Sequence, residues 1–269
     1  GHAAYQAFED LKGFSGEVLI LCGDTPLLTA ETLKKFIENH RKNNASLSVM
    51  SAIFENPQNY GRIIRSENGN LCAIVEEKDA NPEQKAVKEI NTGVYLINWA
   101  EISPAFLSLD SNNAQGEYYL TDIVKWAISQ GLKAQSYILE NNEESFGINS
   151  KTHLAEAAKI LKNRVINRLL EDGVTIVDPE TTFISPETEI APDVIIYPCT
   201  YIEGKNIIGK DCKIGPFARL RGGVELGEGV KIGNFVEIKN SKIKNHTNVS
   251  HLSYIGDSEL GSNVNIGAG

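Results

Sequence analysis

Ile184-Ser185-Pro186-Glu187-Thr188-Glu189-Ile190-Ala191-Pro192-Asp193-Val194-Ile195-Ile196-Tyr197-Pro198-Cys199-Thr200-Tyr201-Ile202 opens a stretch in which a branched aliphatic residue returns at every sixth position. The series continues through Ile208, Ile214, Leu220, Leu226 and Ile232 to Ile238 without a miss. A second series, mostly small or β-branched, stands four residues after each: Thr188, Val194, Thr200, Asn206, Cys212, Ala218, Val224, Val230 and Val236. A period of six matches neither the helical repeat nor the two-residue alternation of a strand. It is the repeat of a parallel β-helix, in which each hexad makes one flat face and three hexads close a triangular coil. The aliphatic residue of every hexad then points into the prism. The count slips by one at Ile243 and again at Leu260. These slips predict corners or small loops that leave the regular surface, where function tends to sit. The period itself leaves the handedness open.

Upstream, Ser150–Leu170 carries Leu154, Ala158, Leu161, Val165 and Leu169 at three- and four-residue steps, which predicts a helix closing near Gly173. It divides two unlike patterns and reads as a connecting arm. The expected division is 1–150, a helical linker 151–172, and the β-helix 173–269. Within 1–150, strands are expected at Glu17–Cys22, Ser46–Phe54, Tyr60–Arg65, Leu71–Glu76 and Glu89–Ile97. Helices are expected at Thr29–Arg41, with Thr29 as N-cap, and at Leu120–Gln130. Alternating strands and helices predict an α/β sheet.

The chain has 269 residues, 41% of them hydrophobic, with 26 basic and 35 acidic side chains and a net charge of −9. That balance argues against nucleic acid as a partner, since phosphate backbones require a basic face. Cys22, Cys72, Cys199 and Cys212 are widely spread with no Cys-x-x-Cys, which fits reduced thiols and a cytoplasmic location. No signal peptide or membrane-spanning apolar run is visible, so no membrane insertion is expected. The first residue is Gly and the last falls inside a hexad, so both ends read as cuts through a longer protein.

Asp24 follows an apolar run, where open α/β sheets bind ligands. A carboxylate there suits Mg²⁺, which takes one or two carboxylates plus substrate phosphates. Alone, Gly23-Asp24-Thr25-Pro26 reads more readily as a turn in which Asp caps an amide. Four further segments follow: Tyr60-Gly61-Arg62-Ile63, Ile74-Val75-Glu76-Glu77-Lys78-Asp79, Glu89-Ile90-Asn91-Thr92-Gly93, and Asn113-Ala114-Gln115-Gly116-Glu117-Tyr118-Tyr119-Leu120-Thr121-Asp122. Gly147-Ile148-Asn149 closes the set. In this order, ahead of a hexad β-helix, they resemble the bacterial bifunctional N-acetylglucosamine-1-phosphate uridylyltransferase/glucosamine-1-phosphate N-acetyltransferase family over essentially the whole chain.

The resemblance implies an α/β nucleotidyltransferase-like (Rossmann-like) domain, truncated at its N-terminus, then a helical arm and a left-handed parallel β-helix of hexapeptide repeats. It implies that UTP and N-acetylglucosamine 1-phosphate give UDP-N-acetylglucosamine and pyrophosphate, feeding cell-wall and outer-envelope amino sugars. Asp24 and Asn149 match the Mg²⁺ ligands; Cys22, Gly23 and Asp24 match the nucleotide-contacting turn; Gly61, Glu76 and Asn91 match residues holding the sugar. The family's Gly-rich loop with its Arg and Lys would fall before Gly1, so the chain as it stands is not expected to transfer uridylyl groups.

The second half continues the resemblance through Ile214-Gly215-Pro216-Phe217-Ala218-Arg219-Leu220-Arg221 and Gly233-Asn234-Phe235-Val236-Glu237-Ile238-Lys239. His251-Leu252-Ser253-Tyr254-Ile255-Gly256-Asp257 and Asn263-Val264-Asn265-Ile266-Gly267-Ala268-Gly269 complete it. Arg221, Lys239, Tyr254 and Asn265 match residues holding glucosamine 1-phosphate, His251 the general base, and Ala268 an acetyl-CoA contact. A homotrimer with sites between subunits is implied in the same way. Hexad phase adds its own support. Arg221 and Lys239 each follow an inward residue one coil apart, so they are expected to stack as a compact cation pair suited to phosphate. His251, two positions after Val249, is expected to face outward. Two other readings stand beside this one: a sugar nucleotidylyltransferase whose β-helix only assembles or regulates, and a non-catalytic scaffold.

Overall fold

A computed structural model describes residues 1–267. The chain forms two compact units, Gly1–His153 and one beginning at Leu154. The first contains α1 (His2–Gln6), β1 (Glu17–Ile20), α2 (Ala30–Lys42), β2 (Leu47–Ile53), β3 (Arg62–Arg65), β4 (Leu71–Val75), α3 (Pro82–Lys85), β5 (Glu89–Asn98), α4 (Trp99–Phe106), α5 (Asp122–Ser129) and β6 (Ala134–Ile138). A single six-stranded sheet runs β4-β3-β5-β2-β6, with β1 joined to β5. It is mixed: β2 and β6 are parallel, and the other pairs are antiparallel. Thr29 caps α2 as its sequence suggests, accepting from the Thr32 N–H at 3.2 Å. The sequence reading omits β6 and the short helices α1, α3 and α4.

The long strand β5 organises this unit. One edge pairs with β2. The other edge is shared: β1 takes its C-terminal half, from Ile20↔Tyr95 to Glu17↔Asn98, and β3 meets it at Arg62↔Ile90. Between them the edge at residues 91–94 carries no ladder partner. The β2–β5 register also shifts there, between Val49 and Ser51, and the Thr92 hydroxyl donates to the Met50 carbonyl at 2.8 Å. A bulge of this kind re-aims side chains beside a site.

In the second unit, α6 (Lys151–Glu171) leads into the hexads. Its last turns contribute Val165, Ile166 and Leu169 to the same core as Val174, Ile176 and Ile184, so this half of the helix covers the apolar end of the first coil. The coils make three parallel sheets. The first face stacks Thr175–Ile176, Ile195–Ile196, Lys213–Ile214, Lys231–Asn234, Asn248–His251 and Asn265–Ile266. The second stacks Phe183–Ile184, Tyr201–Glu203, Arg219–Arg221, Glu237–Lys239 and Tyr254–Gly256. The third stacks Glu189–Ile190, Ile207–Ile208, Glu225–Leu226, Lys242–Ile243 and Glu259–Leu260. The unit is a parallel β-solenoid, and the sixth-position aliphatics form one continuous column of its core. Both residue series are inward: Ile196, Ile214, Leu220, Val194, Cys212 and Val224 are all buried.

The corners have a regular conformation of their own. Asp193, Cys199, Asp211, Phe217, Phe235, His246, Leu252 and Asn263 all have φ between +50° and +63°. Each stands three residues before an inward aliphatic, where every strand must turn onto the next face. The two slips at Ile243 and Leu260 are corners rather than loops leaving the surface. Each coil is shortened at the same corner, so Ser241 stacks against Ser258. The Ser258 N–H donates to Ser241 Oγ at 3.1 Å, Ser241 Oγ donates to the Lys239 carbonyl at 2.8 Å, and Asn240 Nδ2 donates to Asp257 Oδ1 at 2.7 Å. The prism loses one residue per turn there without losing its ladder.

Candidate functional site

The gap along β5 gathers the N-terminal candidates. As β1 ends, the chain leaves the ladder, and Cys22 Sγ donates to the Gly93 carbonyl at 3.4 Å. On the other side of the gap the Asn91 N–H donates to the Gly61 carbonyl at 2.8 Å, while Asn91 Oδ1 accepts from the Gly93 N–H at 3.0 Å. Gly61 lies against Glu76, and a Cβ there would stand 3.2 Å from Glu76 Oε2. Gly93 has φ +80°, and a Cβ on it would stand 2.5 Å from Cys22 Sγ. A side chain on Gly93 would meet both the sulfur and a left-handed backbone, whereas one on Gly61 would crowd the end of the Glu76 side chain.

Asp24 is set on the turn after β1. Its carbonyl accepts from the Ile148 N–H at 2.8 Å, which fastens 147–149 to that turn. A Cβ on Gly147 would lie 3.5 Å from Asp24 Oδ2 and 3.7 Å from the Asn149 amide. The carboxylate and the amide therefore converge above a residue with no side chain. Among the described residues no cluster of three or more His, Cys, Asp or Glu could hold a metal. A cation here would take oxygens from Asp24 and Asn149 and the rest from phosphate and water, as Mg²⁺ commonly does. The donor set fits that ion.

Electrostatics mark the same place. Burial pushes the Glu76 carboxyl above its ordinary value, with Asp79 and Asp122 adding to the rise and a hydrogen bond from Thr121 Oγ1, at 3.3 Å to Oε1, opposing it. Burial likewise raises the Cys22 thiol, with Asp24 reinforcing the effect. Two residues escaped the sequence reading. Thr121 fixes Glu76 from the start of α5. Tyr95 is 1% exposed, and its hydroxyl lies beside the Asn91 side chain and within electrostatic reach of Glu76 and Cys22. The Thr121-Asp122 end of the Gln-Gly-Glu-Tyr-Tyr-Leu run was the available signal for Thr121; nothing local in the sequence marks Tyr95. A separate cavity of about 690 Å³ lies behind β4, lined by Glu76, Asp79, Asp122 and Lys125. It shares Glu76 with the gap but not Asp24, Gly61, Asn91 or Asn149.

The solenoid candidates fall on two faces. On the second face, Leu220 pairs with Ile238 and Lys239 with Gly256, which puts Arg221, Lys239 and Gly256 in one column. Tyr254 belongs to the adjoining column, opposite Glu237, and its hydroxyl lies over Gly256. The stacking of Arg221 and Lys239 is as their spacing requires, but a bare cation pair is not formed. Arg221 Nη1 holds Glu237 Oε1 at 2.9 Å, and Lys239 Nζ lies 4.0 Å from Asp257 Oδ2. The neighbouring rungs carry the opposite charge, so each cation is neutralised locally. His251 ends a strand of the first face, opposite Asn234, and is exposed as expected. It lies one corner before Tyr254. Asn265 is also on the first face but pairs with Asn248, at the opposite end of the His251 strand, roughly 10 Å away along the strand direction. Arg221, Lys239 and Tyr254 are brought together, with His251 at their corner; Asn265 is not brought to them within this chain. Ala268 lies outside the described residues. No described helix is long and apolar enough to cross a membrane.

Known proteins carry the same order of parts. Residues 2–150 match the nucleotidyl transferase family model, and 207–240 match the bacterial transferase hexapeptide (six repeats) model. The whole chain aligns with the bifunctional protein GlmU of Acetivibrio thermocellus at 43% identity and of Geobacillus sp. (strain WCH70) at 41%. That of Caldanaerobacter subterraneus subsp. tengcongensis aligns at 43%. The chain spans 66% of the length of each of these relatives. The matches run over 301 or 302 aligned positions against 269 residues here, so the relatives carry residues within the matched stretch that this chain lacks. The chain belongs to the nucleotidyl transferase family, and its second unit is a bacterial transferase hexapeptide solenoid.

Proposed function

We propose that this chain is part of a protein with the two activities of UDP-N-acetylglucosamine synthesis, a cytoplasmic homotrimer. Its first unit binds UDP-N-acetylglucosamine at the site where the whole protein joins a uridylyl group from UTP to N-acetylglucosamine 1-phosphate. The other acetylates glucosamine 1-phosphate from acetyl-CoA. The convergence of Asp24, Asn149, Gly61, Glu76 and Asn91 around the unpaired stretch of β5 carries the first reading. Asn91 and Glu76 offer both an acceptor and a donor to sugar hydroxyls and an acetamido group. Mg²⁺ held by Asp24 and Asn149 would neutralise charge on the phosphates during in-line attack.

In the solenoid, His251 is the general base. It takes a proton from the glucosamine ammonium, the freed amine attacks the thioester carbonyl, and coenzyme A leaves as the thiol. Arg221, Lys239 and Tyr254 hold the sugar phosphate, and Asn265 and Ala268 serve the same reaction. The distance between Asn265 and the His251 corner is one reason to place the complete site between copies of the chain. One observation favours a second reading, in which the solenoid only assembles: Arg221 and Lys239 already hold carboxylates. Acetyl transfer and UDP-N-acetylglucosamine binding, measured in the chain and in His251→Ala, separate the two. Loss of acetyl transfer with unchanged UDP-N-acetylglucosamine binding supports the proposal. No acetyl transfer in the unsubstituted chain, or loss of both signals together in the variant, overturns it.

A further inference from the structure

On two faces of the solenoid the cations in the strands are paired with carboxylates of neighbouring rungs. On the third face, Lys242 Nζ holds Glu225 Oε1 at 2.9 Å and Lys244 Nζ holds Glu259 Oε1 at 2.7 Å. On the second, Arg219 holds Glu203 at 3.0 Å and Arg221 holds Glu237 at 2.9 Å. The first face breaks this pattern. Lys213 stands directly opposite Lys231 in parallel register, and among the described residues neither ammonium has a carboxylate within ion-pair distance. Rungs of a sheet lie about 4.8 Å apart, so the two stems rise side by side. Like charges directly opposite each other destabilise a sheet.

The same two lysines wall a groove of about 410 Å³, whose floor is kept low by Gly215 and Gly233. Asn248 and Asn265 continue the lysine column in the next two rungs, and Ser250 continues the glycine column. A Cβ on Gly233 would stand 1.7 Å from the Ser250 carbonyl oxygen, so the floor cannot be raised by a side chain there. Two unneutralised ammonium groups, two carboxamides and a hydroxyl around one small trench are the donors of an oxyanion site. Nothing in the trench supplies a carboxylate to compete.

We propose that this groove on the first face binds the phosphate group of a small molecule through Lys213 and Lys231, away from the Arg221–Lys239 column and sharing only Asn265 with the residues assigned to acetyl transfer. The ligand bridges Lys213 and Lys231 and removes their mutual repulsion. The inference rests on the charge pattern and the groove, not on acetyl transfer, and so survives or fails separately from it.

The test is acylation of lysines by a water-soluble succinimidyl ester, read by peptide mass spectrometry on the whole chain. It is run with inorganic phosphate, with AMP as a phosphate ester, and with chloride at matched ionic strength. Protection of both Lys213 and Lys231 by phosphate or AMP, with Lys205 and Lys210 unaffected, is the expected result. Stronger protection by AMP marks an ester as the ligand, and equal protection marks the free anion. Lys231→Gln is expected to weaken phosphate binding about tenfold, the loss of one charged hydrogen bond. Lys231→Glu restores the alternating pattern of the other faces. It is expected to raise the Tm without phosphate and to abolish the further rise that phosphate gives the unsubstituted chain. Equal acylation in phosphate and chloride overturns the proposal. So does protection in chloride alone that disappears when Lys231→Glu dissociates an oligomer, since the face is then covered by a second copy.

Discussion

Cys22 Sγ donates to the Gly93 carbonyl at 3.4 Å, and a Cβ on Gly93 would fall 2.5 Å from the same sulfur. The end of β1 and the bulge of β5 are therefore fitted to each other at van der Waals limits, beside Asn91 and Asp24. Gly93→Ala meets both the φ of +80° and the sulfur. A strained left-handed residue costs about 1–3 kcal/mol. The variant is expected to lower the Tm and to lose UDP-N-acetylglucosamine affinity. Adding Cys22→Ala removes the clash but not the backbone strain, so the double variant should recover part of the stability. Equal stability of the single and double variants would show that the sulfur contact is slack.

Glu76 provides a pH signature. Burial holds its carboxyl above the value it has in the unfolded chain. The fold thus binds the proton more tightly than the unfolded chain does, and stability falls as pH rises through the folded value. The loss is complete above that value. Glu76→Gln is expected to flatten the Tm-against-pH curve in the weakly acidic range, to keep or raise the Tm at neutral pH, and to weaken sugar binding. A Tm that drops at neutral pH would mean that the ionised carboxylate is structural.

Arg221 and Lys239 should matter little to folding. Arg221 and Glu237 side chains are 41% and 35% exposed, and pairs of that kind contribute about 0–1 kcal/mol. Arg221→Ala and Lys239→Ala are expected to leave the Tm almost unchanged while glucosamine 1-phosphate affinity falls. Isothermal titration with glucosamine 1-phosphate and a melting curve decide between a binding role and a purely structural ladder.

The shortened corner predicts the opposite behaviour. Ser241 is 2% exposed, and its hydroxyl both accepts from Ser258 and donates to the Lys239 carbonyl. Ser241→Ala takes the acceptor from the Ser258 N–H, while the Lys239 carbonyl keeps the Asp257 N–H at 3.0 Å, at a cost of about 1 kcal/mol. Hydrogen exchange at the Ser258 amide should rise with the loss of Tm. An unchanged exchange rate would assign that amide another acceptor.

Asp24 and Asn149 predict a metal response. Mg²⁺ together with UDP-N-acetylglucosamine is expected to raise the Tm more than the sum of the two alone. Asp24→Asn should abolish that synergy, because a neutral amide lacks the charge that draws the cation from water. Synergy that persists in the variant would place the cation elsewhere.

The solenoid was legible because its core is one-dimensional: each inward residue repeats against its own copy a coil away, so the six-residue period alone places Ile196, Ile214 and Ile232 in a column. Strand positions in the first unit followed from apolar runs, and the motif order brought Asp24, Gly61, Glu76, Asn91 and Asn149 into view together. Three things needed the tertiary structure. The gap between β1 and β3 depends on how two strands divide one edge of β5, a non-local pairing with no sequence signature. The burial of Tyr95 and the hold of Thr121 on Glu76 come from side chains far apart in sequence. Which carboxylates reach Arg221 and Lys239 comes from side-chain placement on neighbouring rungs, and the shortened coil sets Lys239 against Gly256, whereas Lys213 stands opposite Lys231 at the plain 18-residue repeat. Periodicity fixes where a side chain points; only packing of distant segments decides what it meets there.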